Sequence, residues 1–352
     1  MIDSKYADYS WDKTAELLAI PSPTGYTEMA AEWVAKQFKD LGFETVPTTK
    51  GGVLADLGGG DSEDALLLEA HADTLGGMVS EIKQNGRLKL TPLGGMNPNN
   101  GETENVTVIT RDGRQYEGTL QLCNASIHVN GDYSKTERTW NTVEVVPDED
   151  VKTAADTRAL GIEVGDIVAF DPRTRRTASG YLKSRFLDDK LSAAILLGYA
   201  KYIRENNITP LRKVYQHMTV FEEVGHGACA SIPEDVTELL SVDMGCVGDG
   251  LECTERQVSI CAKDGHGPYN YQVTTGLVNA AKKDSIDYAV DIYPFYGSDA
   301  DAALSAGKDA RHGLIGAGVY ASHGYERSHK DGVVNTFRLL CSYLNGNAPK
   351  MD

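Results

Sequence analysis

The chain has 352 residues, 41% hydrophobic and 24% charged, the makeup of a soluble globular protein long enough for two domains. Its 51 acidic residues against 34 basic ones leave a net charge of −17. That balance argues against nucleic acid and anionic membranes as partners, since both are bound through Lys and Arg. The start, Met1 to Tyr6, lacks the basic and apolar segments of a signal peptide, and no run approaches the roughly 20 apolar residues that span a bilayer. Six cysteines without a CxxC pair fit reduced residues in a cytoplasmic protein.

Trp11 to Ile20 carries Leu17, Leu18 and Ile20, ends in the turn Pro21-Ser22-Pro23-Thr24-Gly25, and predicts a helix. A second helix is predicted over Thr27 to Leu41, with Met29, Ala30, Trp33, Val34 and Phe38 at helical spacing and Gly42 as its stop. Val53 to Leu57 reads as a short strand, and Ala65 to Ala70 as a buried parallel one. From Met78 to about Ser179 the texture changes to short alternating segments with frequent Gly, such as Val79 to Ile82, Thr107 to Ile109 and Ile167 to Phe170. This is the pattern of a small β-barrel or sandwich. The α/β pattern then resumes, with a helix from Leu191 to Ile203 and strands at Val214 to Phe221, Leu239 to Asp243 and Tyr288 to Ile292. The expected fold is one discontinuous α/β domain, residues 1–77 and 180–352, interrupted by a β-rich domain over 78–179.

His71 stands just past the run ending at Ala70, and open α/β sheets hold their ligands outside such strand ends. Asp73 is placed to hydrogen-bond the other imidazole nitrogen and fix the tautomer; a satisfied His at a strand end is the competing explanation. Glu222 and Glu223 follow Phe221 at another strand end, where successive side chains diverge. One carboxylate can then bind metal while its neighbour takes a proton from metal-activated water; a solvated acidic pair is the alternative. Asp243 ends its strand, and Asp188-Asp189 precede the helix near Leu191, so a turn residue and N-caps would also explain them. His329 lies in a polar loop with no local feature of its own. Together these oxygen and imidazole donors, without Cys, suit Zn²⁺, Co²⁺ or Mn²⁺. Asp188, with possible ligands on both sides in sequence, is the carboxylate suited to bridge two ions about 3.5–4 Å apart.

The chain resembles the glutamyl aminopeptidase family of dinuclear metallopeptidases, which includes the tetrahedral aminopeptidases and relatives labelled endoglucanases. The resemblance runs from Pro21-Ser22-Pro23-Thr24-Gly25 through His71-Ala72-Asp73, Phe186-Leu187-Asp188-Asp189-Lys190-Leu191, Glu222-Glu223-Val224-Gly225, Val242-Asp243 and Gly297-Ser298-Asp299-Ala300 to Tyr325-Glu326-Arg327-Ser328-His329. It implies a mixed-sheet, zinc-peptidase-like α/β/α catalytic domain with an inserted small β-barrel that builds homo-oligomers, typically tetrahedral dodecamers. It further implies two divalent metals, Zn or Co foremost and Mn as a third choice. His71 and Asp243 would bind one, Glu223 and His329 the other, with Asp188 bridging and the Asp188–Asp189 peptide often cis. Glu222 would be the general base, Asp73 would orient His71, and the substrates would be peptides cleaved at the N-terminus. Thr74-Leu75-Gly76-Gly77 and Glu326-Arg327-Ser328 depart from the common family forms beside the substrate. Arg311 or Arg327 could hold an acidic substrate side chain, or simply pair with the acidic body.

Three other readings compete. An N-acyl amino acid deacylase or carboxypeptidase of the related lid-domain family uses similar ligands but inserts its extra domain later; here the gap of 115 positions falls between Asp73 and Asp188. A glycosidase needs two carboxyls about 5–10 Å apart across a bond, which adjacent Glu222 and Glu223 do not by themselves supply. An inactive metal-stabilised assembly would lack a base or a bridge, whereas every expected position is filled.

Overall fold

The computed structural model describes residues 2–349; Met1 and residues 350–352, at the ends of the expected α/β domain, lie outside the described residues. Helices α1 (Ile2–Leu18) and α2 (Glu28–Asp40) open the chain, followed by strands β1 (Thr45–Pro47), β2 (Val53–Gly58) and β3 (Asp61–His71). Next come β4 (Gly76–Ile82), β5 (Leu88–Leu93), a short α3 (Pro98–Gly101), β6 (Asn105–Ile109), β7 (Gln115–Leu122), β8 (Val143–Pro147), α4 (Ala154–Ala159) and β9 (Ile167–Phe170). The chain continues through β10 (Arg175–Arg176), β11 (Tyr181–Ser184), α5 (Leu187–Glu205), β12 (Arg212–Thr219), β13 (Val236–Val242), β14 (Gly245–Val247) and β15 (Val258–Lys263). It ends with α6 (Tyr271–Lys283), β16 (Tyr288–Ile292), α7 (Asp299–Ser305), β17 (Arg311–Tyr320), β18 (Glu326–His329) and α8 (Lys330–Asn345).

The fold is mixed α/β. The large sheet runs β1-β2-β12-β3-β13-β17-β18-β11-β10, and its centre, β12-β3-β13-β17, is parallel. β3 is apolar on both faces because helices cover both. Leu66, Leu68 and Ala70 share a core with Leu191, Ile195 and Leu196 of α5, while Ala65 and Leu67 pack with Ala300 and Ala303 of α7. Alternate residues of one strand thus feed two cores.

Strands β4 to β9 close into a separate antiparallel barrel, as the alternating texture predicts. Val106, Val108, Leu120, Val143, Val145 and Val168 are buried on alternate positions of its strands. The barrel's strands span Gly76 to Phe170, and β10 already belongs to the large sheet. No helix among the described residues is long and apolar enough to cross a membrane.

Candidate metal centre

The four parallel strands release their chains at one edge of the sheet. His71 is the last residue of β3; Glu222 and Glu223 form a 3₁₀ turn just past β12; Asp243 directly follows β13; His323 lies three residues past β17. Asp188 enters from the start of α5, where Phe186 is left-handed (φ 67°) and the Asp188–Asp189 peptide is cis. Both Asp residues there have non-helical backbone, so the regular helix starts close to Leu191.

Candidate ligand atoms of His71, Asp188 and Asp243 lie within 4.8 Å of one another, and those of Asp188, Glu223 and His323 do the same. Asp188 belongs to both groups. His71 Nε2 is 3.1 Å from Asp188 Oδ1 and 3.6 Å from Glu222 Oε2. His323 Nε2 is 3.5 Å from Asp188 Oδ2 and 3.7 Å from Glu223 Oε2.

Asp73 works differently from expectation. Its backbone carbonyl, at 2.9 Å, accepts from His71 Nδ1, while its carboxylate stands 3.6 Å away from that nitrogen. That carboxylate instead accepts from the Thr24 hydroxyl (2.6 Å) and from the backbone N–H of Glu222 (3.1 Å). Asp73 therefore fixes the imidazole with one group and the Glu222 turn with another, and Thr24, in the early Pro-Ser-Pro-Thr-Gly turn, completes the link.

His329 does not join the cluster. Its Nε2 bonds the Ser179 carbonyl (2.8 Å) and its Nδ1 accepts from Asp331 N–H (3.0 Å), which makes it the N-cap of α8. Tyr181 packs against the ring. With both nitrogens engaged away from Asp188, the position expected of His329 is filled by His323. The missed signal is the strand-end rule itself: His323 follows β17, whose glycines mask its strand character. Sequence reasoning also missed Glu326, whose buried carboxylate accepts from Asp188 N–H (3.1 Å) and His323 N–H (3.0 Å).

The electrostatics call for a cation. Burial, followed by neighbouring carboxylates, pushes Glu223 up to about 8 and Asp243 up to about 7. Burial raises Glu222 well above the ordinary range as well. Against the opposing effect of burial, the carboxylates of Asp188, Glu223 and Glu326 raise His323 to about 10. Glu223 Oε1 is buried and has no hydrogen-bond partner. Three carboxylates and two imidazoles, with no thiolate, converge here, a donor set that fits divalent Zn, Co or Mn.

A cavity of about 660 Å³ opens beside the cluster, walled by Met244, Phe295, Tyr296, Ala302 and Ser305. Among the described residues its lining includes no Lys or Arg. Arg311 pairs with Asp64 and Glu238, and Arg327 with Glu255, so neither reaches it.

Known proteins resemble this chain in sequence and in fold. The family model described as M42 glutamyl aminopeptidase matches residues 51–339. A Bacillus subtilis (strain 168) protein described as the aminopeptidase YhfE is 46% identical over 329 residues, covering 94% of this chain and 95% of its own. An aminopeptidase structure from the archaeon Desulfurococcus kamchatkensis superposes with a TM-score of 0.84 at 22% identity, covering 99% of this chain and 96% of that one. The TET1 peptidase of Pyrococcus horikoshii, described as assembling into a tetrahedron or a large octahedral shell, gives 0.82 at 21% identity over 94% and 98% of the two chains. The chain belongs to the M42 glutamyl aminopeptidase family and is a metal-dependent aminopeptidase.

Proposed function

We propose that this protein removes N-terminal residues from peptides with two divalent metals, and that Glu222 is its general base. The observation that carries this reading is the pair of donor groups sharing Asp188. His71 and Asp243 would hold one ion, Glu223 and His323 the other, and Asp188 would be shared by both. Bound there, the ions would acidify a water and polarise the scissile carbonyl.

The residues of the chain supply the rest. Glu222 Oε2 lies 3.6 Å from His71 Nε2 and lines the cavity, so it can take the water's proton and return it to the departing amine nitrogen. Its backbone is held by Asp73, which keeps the carboxylate turned to the cluster. The cavity beside it would take the substrate's first side chain. The barrel is the proposed assembly module, by likeness to the shell-forming relative, which makes the protein a homo-oligomer. The bound metal would be Zn or Co.

Glu222→Gln preserves shape and removes the base. It is expected to lower kcat on aminoacyl-p-nitroanilides by at least about 10²-fold while metal content stays at the wild-type value. A variant that kept wild-type kcat would overturn the assignment of the base.

A further inference from the structure

His323 is the one proposed ligand placed on a loop that is still partly exposed: its side chain is 38% accessible and its backbone is left-handed (φ 59°). At the end of its own loop, Glu326 accepts from the backbone N–H of His323 at 3.0 Å, and further partners reach it from outside. Two of them come from the barrel. The Gly95 carbonyl faces His323 Nδ1 at 3.3 Å, and Asn100 Nδ2 donates to the His323 carbonyl at 3.2 Å.

The approach is close enough to require glycine. A Cβ on Gly95 would lie 2.9 Å from His323 Nδ1 and 3.0 Å from its Cε1. A Cβ on Gly94, where φ is +72°, would stand 2.5 Å from Leu75 and 3.2 Å from Glu223 Cβ. The loop from β5 to α3 thus lies against two of the three donors of one metal group. Buried Arg185 locks it there, with one guanidinium nitrogen on the Asn100 carbonyl and another 3.3 Å from the Gly324 carbonyl.

From this we infer that the inserted barrel is a working part of the metal centre: its Gly94–Asn100 loop holds His323 in the tautomer that carries hydrogen on Nδ1 and leaves Nε2 free for the ion. Gly95 and Asn100 are positioning residues, acting through His323. The inference rests on the reading of His323 as a ligand. A metal-ligating His is commonly held in this way by a carbonyl on its other nitrogen, and loss of such a partner typically costs 10- to 100-fold in metal affinity.

The test uses the full-length protein, freed of metal and titrated with Co²⁺ against a competing chelator, with the visible cobalt spectrum as a second readout. Wild type is expected to bind two ions. Gly95→Ala, which presses a methyl group on the ring, should weaken one site about 10-fold or more, alter its spectrum and leave the other site unchanged. Asn100→Ala should do the same more mildly, and it covers the case in which Gly95→Ala fails to fold. Gly131→Ala, a barrel position with nothing within 4 Å of the added methyl, should leave both sites intact.

His323→Ala separates the two ideas. If it still binds two ions with wild-type affinity, the ligand assignment fails and the inference with it. If it loses one site while Gly95→Ala and Asn100→Ala keep both at wild-type affinity, only the role of the barrel loop is overturned.

Discussion

His323 and His329 are six residues apart and have opposite surroundings. His323 faces two carboxylates through Nε2; His329 spends both nitrogens on backbone groups at the start of α8. The family motif closes on a histidine, and its resemblance to Glu326-Arg327-Ser328-His329 drew attention to the second of these rings. Residue type and spacing could not separate them, because what distinguishes them is a strand end that the sequence hides. The two substitutions should therefore part cleanly. His329→Ala removes a helix cap and is expected to cost about 1 kcal/mol of stability in urea unfolding, with metal stoichiometry unchanged. His323→Ala should lose one of two bound ions and most of its activity. If His329→Ala lost a metal instead, the assignment would have to be reversed.

At the scale of elements, the strands fall into two groups by legibility. β3 and α5 stand out because they are covered on both sides and read as long apolar runs, and the barrel announces itself by alternation. β17 does not. It is broken by Gly313, Gly316 and Gly318, a texture that reads as loop. The structure gives the reason: a Cβ on Gly316 would meet the Asp243 carbonyl at 1.5 Å, and one on Gly318 would meet the Thr254 carbonyl at 2.1 Å. The backbone that carries Asp243 crosses so close to β17 that only glycine fits, so the packing that builds the site is what conceals its last strand. Asp73 was legible as a partner of His71, but the division of labour between its carbonyl and its carboxylate depends on a turn 49 residues earlier, at Thr24. By contrast, Leu68 behaves as its sequence suggests: it is fully buried between β3 and the α5 side of the sheet. Leu68→Ala should cost about 2–5 kcal/mol by cavity formation. Urea unfolding of the metal-loaded protein would measure it, and a loss under 1 kcal/mol would mean that the core there collapses to fill the space.

The whole molecule folds around a concentration of negative charge that the chain does not neutralise by itself. Glu222, Glu223, Asp243, Asp189 and Glu326 are all held above the ordinary carboxylate range by burial, and beyond burial by one another's charge or that of Asp188. Each binds a proton more tightly folded than unfolded. Its contribution is therefore fully present below the unfolded value, 3.8 for Asp and 4.5 for Glu, and is lost as pH rises towards the folded value, about 7 for Asp243 and about 8 for Glu223. His217, which burial holds down to about 4, works the other way up to its ordinary value of 6.5, but it is one group against these five and against Glu69, Asp264 and Asp299, which burial also raises. Raised His71 and His323 add losses only above 6.5, and Lys190, lowered to about 7, adds a gain only above that point. Between pH 5 and 7 the metal-free protein should therefore lose stability as pH rises. Metal binding has the opposite trend, because its ligands must be deprotonated, and binding to the folded state alone adds stability. Melting curves of chelator-treated protein at pH 5, 6 and 7 should show a falling Tm. Saturating Zn²⁺ or Co²⁺ should raise Tm by an increment that grows across the same interval. A metal-free Tm that climbed from pH 5 to 7 would show that the buried carboxylates find relief within the chain, and the case for a cation at this edge of the sheet would weaken with it.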